Sequence, residues 1–321
     1  MLIKGGTISN SNHAKVDYLA PLIHLGGPKT GSTSLQNGFF KSLPSSYFFG
    51  EFGDGVTTAE DSLAIQKILE NDETFVDSKI RQKLFEKHFK IANGRNMIFS
   101  SADVLVFNRP SQISSILLEE FGRESRILLI VRNQFSALSS FYTGHGAWHK
   151  PAPSKFYRRY VDPNDWLRFQ FIETKTSILK TFLYFAQIEP FINKFGLENV
   201  HCFCFEDLIA GDFETWSKIE KLTDSPAGNG YRSFSERSDR IGFTTFQFLI
   251  LRFYTRFLRL GTNPKNFDGY NLNSIGKNFG KKHHPKFDDE LLERINSFYS
   301  SDNVLLNSIF KLNLALHRYP N

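Results

Sequence analysis

The sequence predicts a single α/β domain in which helices cover both faces of a central parallel sheet. Short, almost wholly apolar runs alternate with longer segments of helical periodicity, which is typical of buried strands joined by helices. A glycine-rich turn follows the first apolar run, at the sheet edge where such proteins bind ligands. The chain has 321 residues, which is long for one domain, but neither a low-complexity linker nor an internal repeat divides it.

The elements can be placed in order along the chain. Residues 1–17 are polar and rich in Gly, Ser and Asn, so we expect a flexible tail before a single domain of residues 18–321. Strands are predicted around 18–25 and at 96–100, 126–131 and 199–205, and helices at 60–70 and 77–92. The C-terminal third is expected to be mostly helical.

The composition allows a large core and indicates anionic ligands. Hydrophobic residues make up 40 % of the chain, which includes 34 Phe and 11 Tyr, so much apolar surface is available for burial. The formal net charge is +6, and a positive cleft concentrates anions. Nucleic acid is not expected as a partner, because the basic residues are scattered and no zinc-finger, helix-turn-helix or RNA-recognition pattern occurs.

The cysteines indicate a reducing compartment. Cys202 and Cys204 are the only two, and residues two apart on a strand share a face and cannot form a relaxed disulfide. Because the histidines are scattered, no metal site is expected. The chain shows no signal-peptide pattern and no run of about 18 apolar residues. We therefore expect a cytoplasmic protein, with a luminal domain trimmed from its membrane anchor as the alternative.

The glycine-rich turn has the features of a phosphate-binding loop. Residues 22–36 read LIHLGGPKTGSTSLQ, in which backbone N–H groups and Lys29 can converge on an anion at the start of a helix. The turn also supplies hydroxyl donors from Thr30, Ser32, Thr33 and Ser34. In nucleotide kinases a lysine follows the second glycine, whereas here Ser32 follows Gly31. The earlier position of Lys29 suits an ammonium beside the bridging oxygen of a phosphate ester.

A second segment predicts a clamp for another phosphate. Residues 126–142 read RILLIVRNQFSALSSFY, a buried strand that ends near Arg132 and leads into a helix carrying Ser140. A guanidinium can bind phosphate through two parallel hydrogen bonds, and a hydroxyl two helical turns later can complete the site.

Together the two segments resemble the sulfotransferases that use PAPS (3′-phosphoadenosine 5′-phosphosulfate), in the form found in carbohydrate-sulfating and bacterial members. The resemblance implies a P-loop-like three-layer fold, PAPS as sulfuryl donor, 3′,5′-ADP as product and no metal. It assigns Arg132 and Ser140 to the 3′-phosphate; Gln134 and Ser136 depart from the usual proline and acidic residue of that motif. It assigns the 5′-phosphosulfate to a loop made of Pro28, Lys29, Thr30, Gly31, Ser32, Thr33 and Ser34.

A third stretch, from residue 276 onward, is similar to the C-terminal part of heparan-sulfate-type sulfotransferases. There a loop rich in Gly and Lys covers the nucleotide, and Lys281 is the candidate for that contact in this chain. One residue is inserted relative to the family pattern, and Phe279 and Lys281 replace a lysine and an arginine.

The resemblance also implies catalytic roles. Lys29 would stabilise charge on the leaving oxygen, and a base would take the proton of the acceptor hydroxyl. Glu51, among Phe48, Phe49 and Phe52, is the first candidate for this base because burial would raise its pKa. The alternatives are His145, Asp54 and Asp103.

The acceptor is expected to be a carbohydrate or another hydroxyl compound, anionic or lipid-linked. The long segment 143–165 contains His145, Trp148, His149 and Arg158, which could hold a sugar. Residues 243–260 predict a basic amphipathic helix, either part of the core or lying at a membrane surface. Two other functions stay open: a P-loop phosphotransferase, and a non-enzymatic protein that binds polyanions or membranes.

Overall fold

Five parallel strands form the centre of the fold. The computed structural model describes residues 20–50, 58–70, 78–101, 104–105, 109–144, 160–173, 177–226, 228–236, 243–253 and 281–321. The strands are β1 (Leu22–Leu25), β2 (Ser46–Gly50), β3 (Asn96–Ser101), β4 (Arg126–Val131) and β5 (Val200–Cys204). Their order in the sheet is β2-β3-β1-β4-β5, and every neighbouring pair is parallel. The carboxyl ends of all five strands therefore lie at one edge.

Helices connect the strands and cover the sheet. After β1 the chain forms one continuous helical segment of three kinds: α1 (Ser32–Ser34), a π-helix (Leu35–Phe39) and a 3-10 turn (Phe40–Ser42). The next helices are α2 (Ala59–Glu70), α3 (Ser78–Ala92), α4 (Pro110–Phe121), α5 (Gln134–Gly144), α6 (Pro163–Ile172) and α7 (Tyr184–Phe195). The last are α8 (Phe205–Ala210), α9 (Phe213–Thr223), α10 (Gly230–Ser235), α11 (Thr245–Phe253) and α12 (Asp289–Phe310).

The core has two layers, one on each face of the sheet. Alternate residues of β1 point in opposite directions: Ile23 belongs to the larger layer, which also holds Tyr184 of α7 and Tyr299 of α12. Leu22 belongs to the smaller layer, with Phe39 of the π-helix. Because β1 and β4 are buried on both faces, the strands are nearly all apolar, as parallel sheets require. The predicted three-layer α/β fold with a helical C-terminal third is confirmed.

The predicted strands at 96–100, 126–131 and 199–205 agree with β3, β4 and β5 to within one residue at each end. The first strand, predicted around 18–25, is shorter and spans Leu22–Leu25; residues 20 and 21 are not part of it, and residues 18 and 19 lie outside the described part of the chain. The predicted helices agree equally well with α2 and α3. β2 was not predicted as a strand; it forms by pairing with β3, which the local sequence does not show. The tail at residues 1–17 lies outside the described residues.

The predicted amphipathic helix at 243–260 is present over Thr245–Phe253 as α11, and residues 254–260 lie outside the described part of the chain. Phe248 is buried, whereas Phe246, Leu249 and Phe253 are exposed, so α11 buries one of its faces against the described part of the chain. Within the described part of the chain, none of the helices has both the length and the apolar composition needed to cross a bilayer.

Candidate active site

The predicted phosphate loop lies at the carboxyl end of β1, where it is fixed to the neighbouring strand β3. The amide N–H of Gly26 donates to the carbonyl oxygen of Ser101 over 2.9 Å, and the carbonyl oxygen of Gly26 accepts from the N–H of Leu105 at 3.2 Å. The first residue of the loop therefore extends the sheet pairing, and the turn that follows starts from a rigid base.

Two left-handed residues give the loop its shape. Lys29 has a φ of 63° and Gly31 a φ of 85°, and this conformation costs an L-residue about 1–2 kcal/mol. Gly31 avoids that cost, and it also leaves space: a Cβ here would lie 2.7 Å from the ring of Phe205. Lys29 carries the strain as a non-glycine residue, which is a feature that concentrates at functional sites.

The hydroxyl groups of the loop brace it from inside. The Thr30 hydroxyl donates to the carbonyl oxygen of Gly27 at 2.9 Å, and the Ser32 hydroxyl donates to the same oxygen at 3.4 Å. Thr30 is fully buried. Pro28, Thr33 and Ser34 are half-buried, so the outer surface of the loop consists of Pro28, Lys29, Gly31 and the first turn of α1.

Arg132 joins the second predicted segment to this loop. Its Nη1 donates to the carbonyl oxygen of Lys29 at 2.7 Å, and its Nε donates to the hydroxyl of Ser136 at 2.9 Å. The guanidinium also lies over the ring of Phe205, 4.7 Å from the ring centre, which is a cation–π distance. The two segments that the sequence assigns to two different phosphates thus meet in one place.

The surroundings of Arg132 fix its backbone and balance its charge. The hydroxyl of Tyr184 donates to the Arg132 carbonyl oxygen at 2.9 Å, and the Glu206 carboxylate accepts from the N–H of Asn133 at 3.0 Å. Burial lowers the pKa of Arg132, an effect that Glu206 opposes. An arginine stays protonated in proteins, so the site presents a partly desolvated positive charge.

Lys29 and α5 approach each other closely. A Cβ added at Gly144, the last residue of α5, would lie 2.7 Å from the Nζ of Lys29, so the ammonium is placed beside the end of this helix. Ser140 is half-buried one turn earlier, and its carbonyl oxygen accepts from the Thr143 hydroxyl at 3.0 Å. The role of Ser140 at the 3′-phosphate stays a prediction.

A buried polar network lies behind the loop. The Nδ1 of His24 on β1 is 2.7 Å from the hydroxyl of Ser100 on β3, and the same hydroxyl accepts from the side-chain amide of Gln36 at 3.0 Å. Burial lowers the pKa of His24 to about 3, so this imidazole is neutral at physiological pH. The network links the strand before the loop, the helical turn after it and the neighbouring strand.

The end of β2 packs tightly against the same serine. A Cβ at Gly50 would lie 1.8 Å from the carbonyl oxygen of Ser100, so only glycine fits there. Glu51, the first candidate for the base, follows directly but lies outside the described residues, as do His145, Asp54 and Asp103. The acceptor candidates Trp148, His149 and Arg158 also lie outside them.

Lys281 lies beside the start of α11. Its carbonyl oxygen accepts from the N–H of Thr245 at 3.0 Å, and the adjacent Lys282 forms an antiparallel bridge with Thr244. Its side chain is exposed. The backbone that carries Lys281 is thus anchored on α11, and its contact with a nucleotide stays a prediction.

Sequence reasoning missed three residues around the guanidinium: Tyr184, Phe205 and Glu206. Phe205 and Glu206 directly follow β5, which pairs with β4, so the carboxyl-end rule for parallel sheets could have pointed to them. Tyr184 begins α7, and nothing in its sequence surroundings indicates a contact with Arg132.

Known structures share this fold. No protein-family model matches the chain, and no curated protein sequence is significantly similar to it. A sulfotransferase from Alicyclobacillus acidocaldarius superposes with a TM-score of 0.53 at 14 % identity, over 93 % of this chain and 98 % of that one. A sulfotransferase domain from the curacin biosynthetic pathway superposes more weakly, with a TM-score of 0.41 at 16 % identity, over 88 % of this chain and 97 % of that one. The first superposition, together with the sheet order and the loop after β1, shows that this chain has the P-loop-like α/β fold of a sulfotransferase.

Proposed function

We propose that this protein is a sulfotransferase that moves the sulfuryl group of PAPS to a hydroxyl or amine of an acceptor and releases 3′,5′-ADP. One observation carries the proposal: the Arg132 guanidinium donates to the carbonyl oxygen of Lys29 at 2.7 Å. This contact joins the two segments that we propose as anion-binding, and PAPS carries two separate anionic groups on one ribose. A protein that bound a single phosphate would need only one of them.

The residues present suit such a ligand. Lys29 and the backbone of the turn at Gly31 supply donors for the 5′-phosphosulfate. The absence of a Cβ at Gly31 and at Gly144 lets the ring of Phe205 and the Nζ of Lys29 approach these two residues closely. Arg132 offers a planar guanidinium for the 3′-phosphate, and its burial strengthens attraction to an anion. Ser140 and Lys281 are proposed as further contacts. No metal ion is required, because Lys29 and Arg132 already supply positive charge.

Sulfuryl transfer requires stabilisation of the charge on the leaving oxygen and removal of the proton of the acceptor. In the proposed reaction the acceptor oxygen bonds to sulfur as the bond between sulfur and the bridging phosphate oxygen breaks. Lys29 would stabilise the negative charge that develops on that leaving oxygen; one such donor is worth about 2.7–4 kcal/mol elsewhere. A base takes the proton of the acceptor. Glu51 and His145 remain our candidates for it.

We propose a carbohydrate or glycoconjugate as the acceptor. The support is the form of the loop, Lys29-Thr30-Gly31 followed by hydroxyl residues without a tryptophan, which resembles the carbohydrate-sulfating and bacterial branch. The segment 143–165 starts at the end of α5, where Gly144 lies beside the Nζ of Lys29. We propose that residues of this segment contact the sugar. A cytoplasmic location and peripheral contact with a membrane through α11 stay predictions.

Calorimetric titration of the full chain with 3′,5′-ADP, 5′-AMP and ATP tests the proposal. We expect micromolar binding of 3′,5′-ADP, at least tenfold weaker binding of 5′-AMP because it lacks the 3′-phosphate, and loss of this difference in Arg132→Ala. Arg123→Ala is the matched control, since Arg123 is an exposed arginine of the turn before β4. A preference for ATP would support a phosphotransferase instead, and no nucleotide binding would support a polyanion-binding protein.

A second measurement tests group transfer itself. The protein is incubated with labelled PAPS and a panel of sugars, glycolipids and simple alcohols, and transfer of label is followed. We expect label on a carbohydrate, and transfer about 100- to 1,000-fold slower in Lys29→Ala. Label on simple alcohols alone would overturn the proposed acceptor class and leave the donor unaffected.

A further inference from the structure

Three side chains of kinds that can bind a metal ion meet at the end of β5. The Sγ of Cys204, a carboxylate oxygen of Asp207 and a ring nitrogen of His317 all lie within 4.8 Å of one another. Cys204 ends β5, Asp207 lies in the first turn of α8, and His317 belongs to the C-terminal segment after α12. From these positions we infer that the protein binds a zinc ion here, a site that the sequence did not predict.

The donor set is the one that zinc prefers. One thiolate, one imidazole and one carboxylate are all common ligands of tetrahedral zinc, and three protein ligands leave a fourth position for water. Magnesium and calcium take oxygen ligands only, so the thiol argues against them. Cys204 is 1 % exposed, whereas the side chains of Asp207 and His317 are 27 % and 16 % exposed. The ion therefore has an entry path from solvent.

The charge around the thiol also favours a cation. Two carboxylates, those of Asp207 and Glu206, lie close to Cys204 and attract a cation. Zinc binds cysteine as the thiolate, so binding releases the proton of the thiol. The Nε2 of His317 is 2.8 Å from a carboxylate oxygen of Asp207. Zinc binding replaces this single contact with two metal bonds, and the nitrogen and the oxygen move apart to about 3.3 Å, the edge of a tetrahedron with bonds of about 2.0–2.1 Å.

The C-terminal segment is built to hold His317 in place. The side-chain amide of Asn133 donates to the carbonyl oxygen of His317 at 3.0 Å, and the Tyr319 hydroxyl donates to the Glu206 carboxylate at 3.0 Å. Lys311, Asn313 and Arg318 have positive φ angles between 52° and 56°. Strained backbone of this kind persists only where its surroundings fix it. The segment thus returns to β5 along a defined path that brings His317 to Cys204.

The proposed ion has a structural role. It would fasten the C-terminal segment to the junction of β5 and α8, and Asn133 connects that junction to Arg132. The inference stands apart from the proposed function, because Cys204, Asp207 and His317 have no assigned role in sulfuryl transfer and the test of the site needs no nucleotide.

Cobalt substitution tests the site. The full chain is treated with a chelator and then titrated with Co²⁺, followed by Zn²⁺ in competition. We expect stoichiometric binding with a thiolate-to-cobalt charge-transfer band and strong visible bands of tetrahedral cobalt, both lost when zinc is added. Cys204→Ser removes the charge-transfer band. Cys202→Ser, on the same face of the same strand, keeps it and is the matched control.

Two further variants test the other two proposed ligands and can be used if Cys204→Ser does not fold. His317→Gln and Asp207→Asn change partly exposed side chains, and each should weaken Co²⁺ binding by more than about 100-fold, since loss of a group that only hydrogen-bonds to a metal ligand weakens it by 10- to 100-fold. Folded wild-type protein that gives no thiolate band overturns the inference. Wild-type affinity in His317→Gln, or a band that persists in Cys204→Ser, overturns it as well.

Discussion

The Nη1 of Arg132 donates a hydrogen bond to the backbone carbonyl oxygen of Lys29, across 2.7 Å and 103 positions of sequence. Lys29 is in the left-handed conformation, with a φ of 63°, and this bond holds its carbonyl group against the guanidinium. The position of the Lys29 ammonium relative to the Arg132 guanidinium therefore depends on this bond between the Lys29 backbone and the Arg132 side chain. A change at either residue should alter both halves of the site.

Arg132→Lys should weaken 3′,5′-ADP binding even though it keeps the charge. The guanidinium donates in two directions, to Lys29 and to Ser136, and an ammonium cannot reproduce this planar fork. We expect a loss of affinity of about tenfold or more, equivalent to roughly 1.4 kcal/mol, measured by calorimetry. Arg123→Lys is the control. Equal affinities in wild type and Arg132→Lys would show that charge alone matters at this position.

Gly31→Ala should damage the loop through two effects. The left-handed backbone costs about 1–2 kcal/mol, and the new Cβ would press on the ring of Phe205, which in turn supports Arg132. We expect the free energy of unfolding in urea to fall by roughly 2–4 kcal/mol, with loss of 3′,5′-ADP binding.

Gly211→Ala separates these two outcomes. Gly211 has a φ of 71°, and a Cβ there would lie 2.9 Å from the ring of Tyr231, so the substitution imposes a similar strain at the end of α8 opposite to Phe205. It should lower stability while nucleotide affinity stays at the wild-type value. If Gly31→Ala also kept that affinity, the loop would not be the nucleotide site.

Gly144→Ala should leave the fold intact and slow the reaction. Alanine in place of glycine favours a helix by up to about 1 kcal/mol, so the unfolding midpoint should stay constant or rise. The added Cβ, however, meets the Nζ of Lys29 at 2.7 Å and displaces the ammonium. We expect kcat for sulfuryl transfer to fall at least tenfold, with a smaller change in 3′,5′-ADP affinity.

A double-mutant cycle checks this mechanism. In a Lys29→Ala background, Gly144→Ala should have no further effect on kcat, because the side chain that it displaces is gone. Additive losses in the double variant would mean that Gly144→Ala acts through another group.

Most of the fold was predictable because most of its strands are apolar runs with polar residues on either side. β4 is an apolar run between a charged residue and a polar turn, and its period and length leave few alternatives. β2, with five residues and three aromatic side chains, becomes a strand because β3 is available as a partner. Its identity is fixed by tertiary pairing, which local pattern does not contain.

The candidate site also contains residues that local sequence could predict and residues that it could not. Lys29 and Arg132 were predicted, since each belongs to a short segment whose chemistry can be read locally. Phe205 and Glu206 were not, because their contacts with Arg132 exist only once β5 pairs with β4. The meeting of Cys204 with His317 likewise depends on the path of the C-terminal segment.

Acid should destabilise the protein partly through His24. Its folded-state pKa is lowered by burial from 6.5 to about 3, so between these values the unfolded chain binds a proton that the folded protein does not. Stability from this residue is complete above pH 6.5 and is lost as the pH falls toward 3. The slope is up to about 1.4 kcal/mol per pH unit for one proton.

His24→Asn isolates this effect, because an asparagine amide can replace the contact of Nδ1 with Ser100 but does not titrate. The free energy of unfolding in urea is measured between pH 4 and 7 for both proteins, and the wild type should lose stability more steeply by about one proton. His88 and His201, whose pKa values burial also lowers, are present in both proteins and cancel. Identical slopes would show that His24 takes up its proton in the folded state, and hence that the network behind the phosphate loop opens in acid.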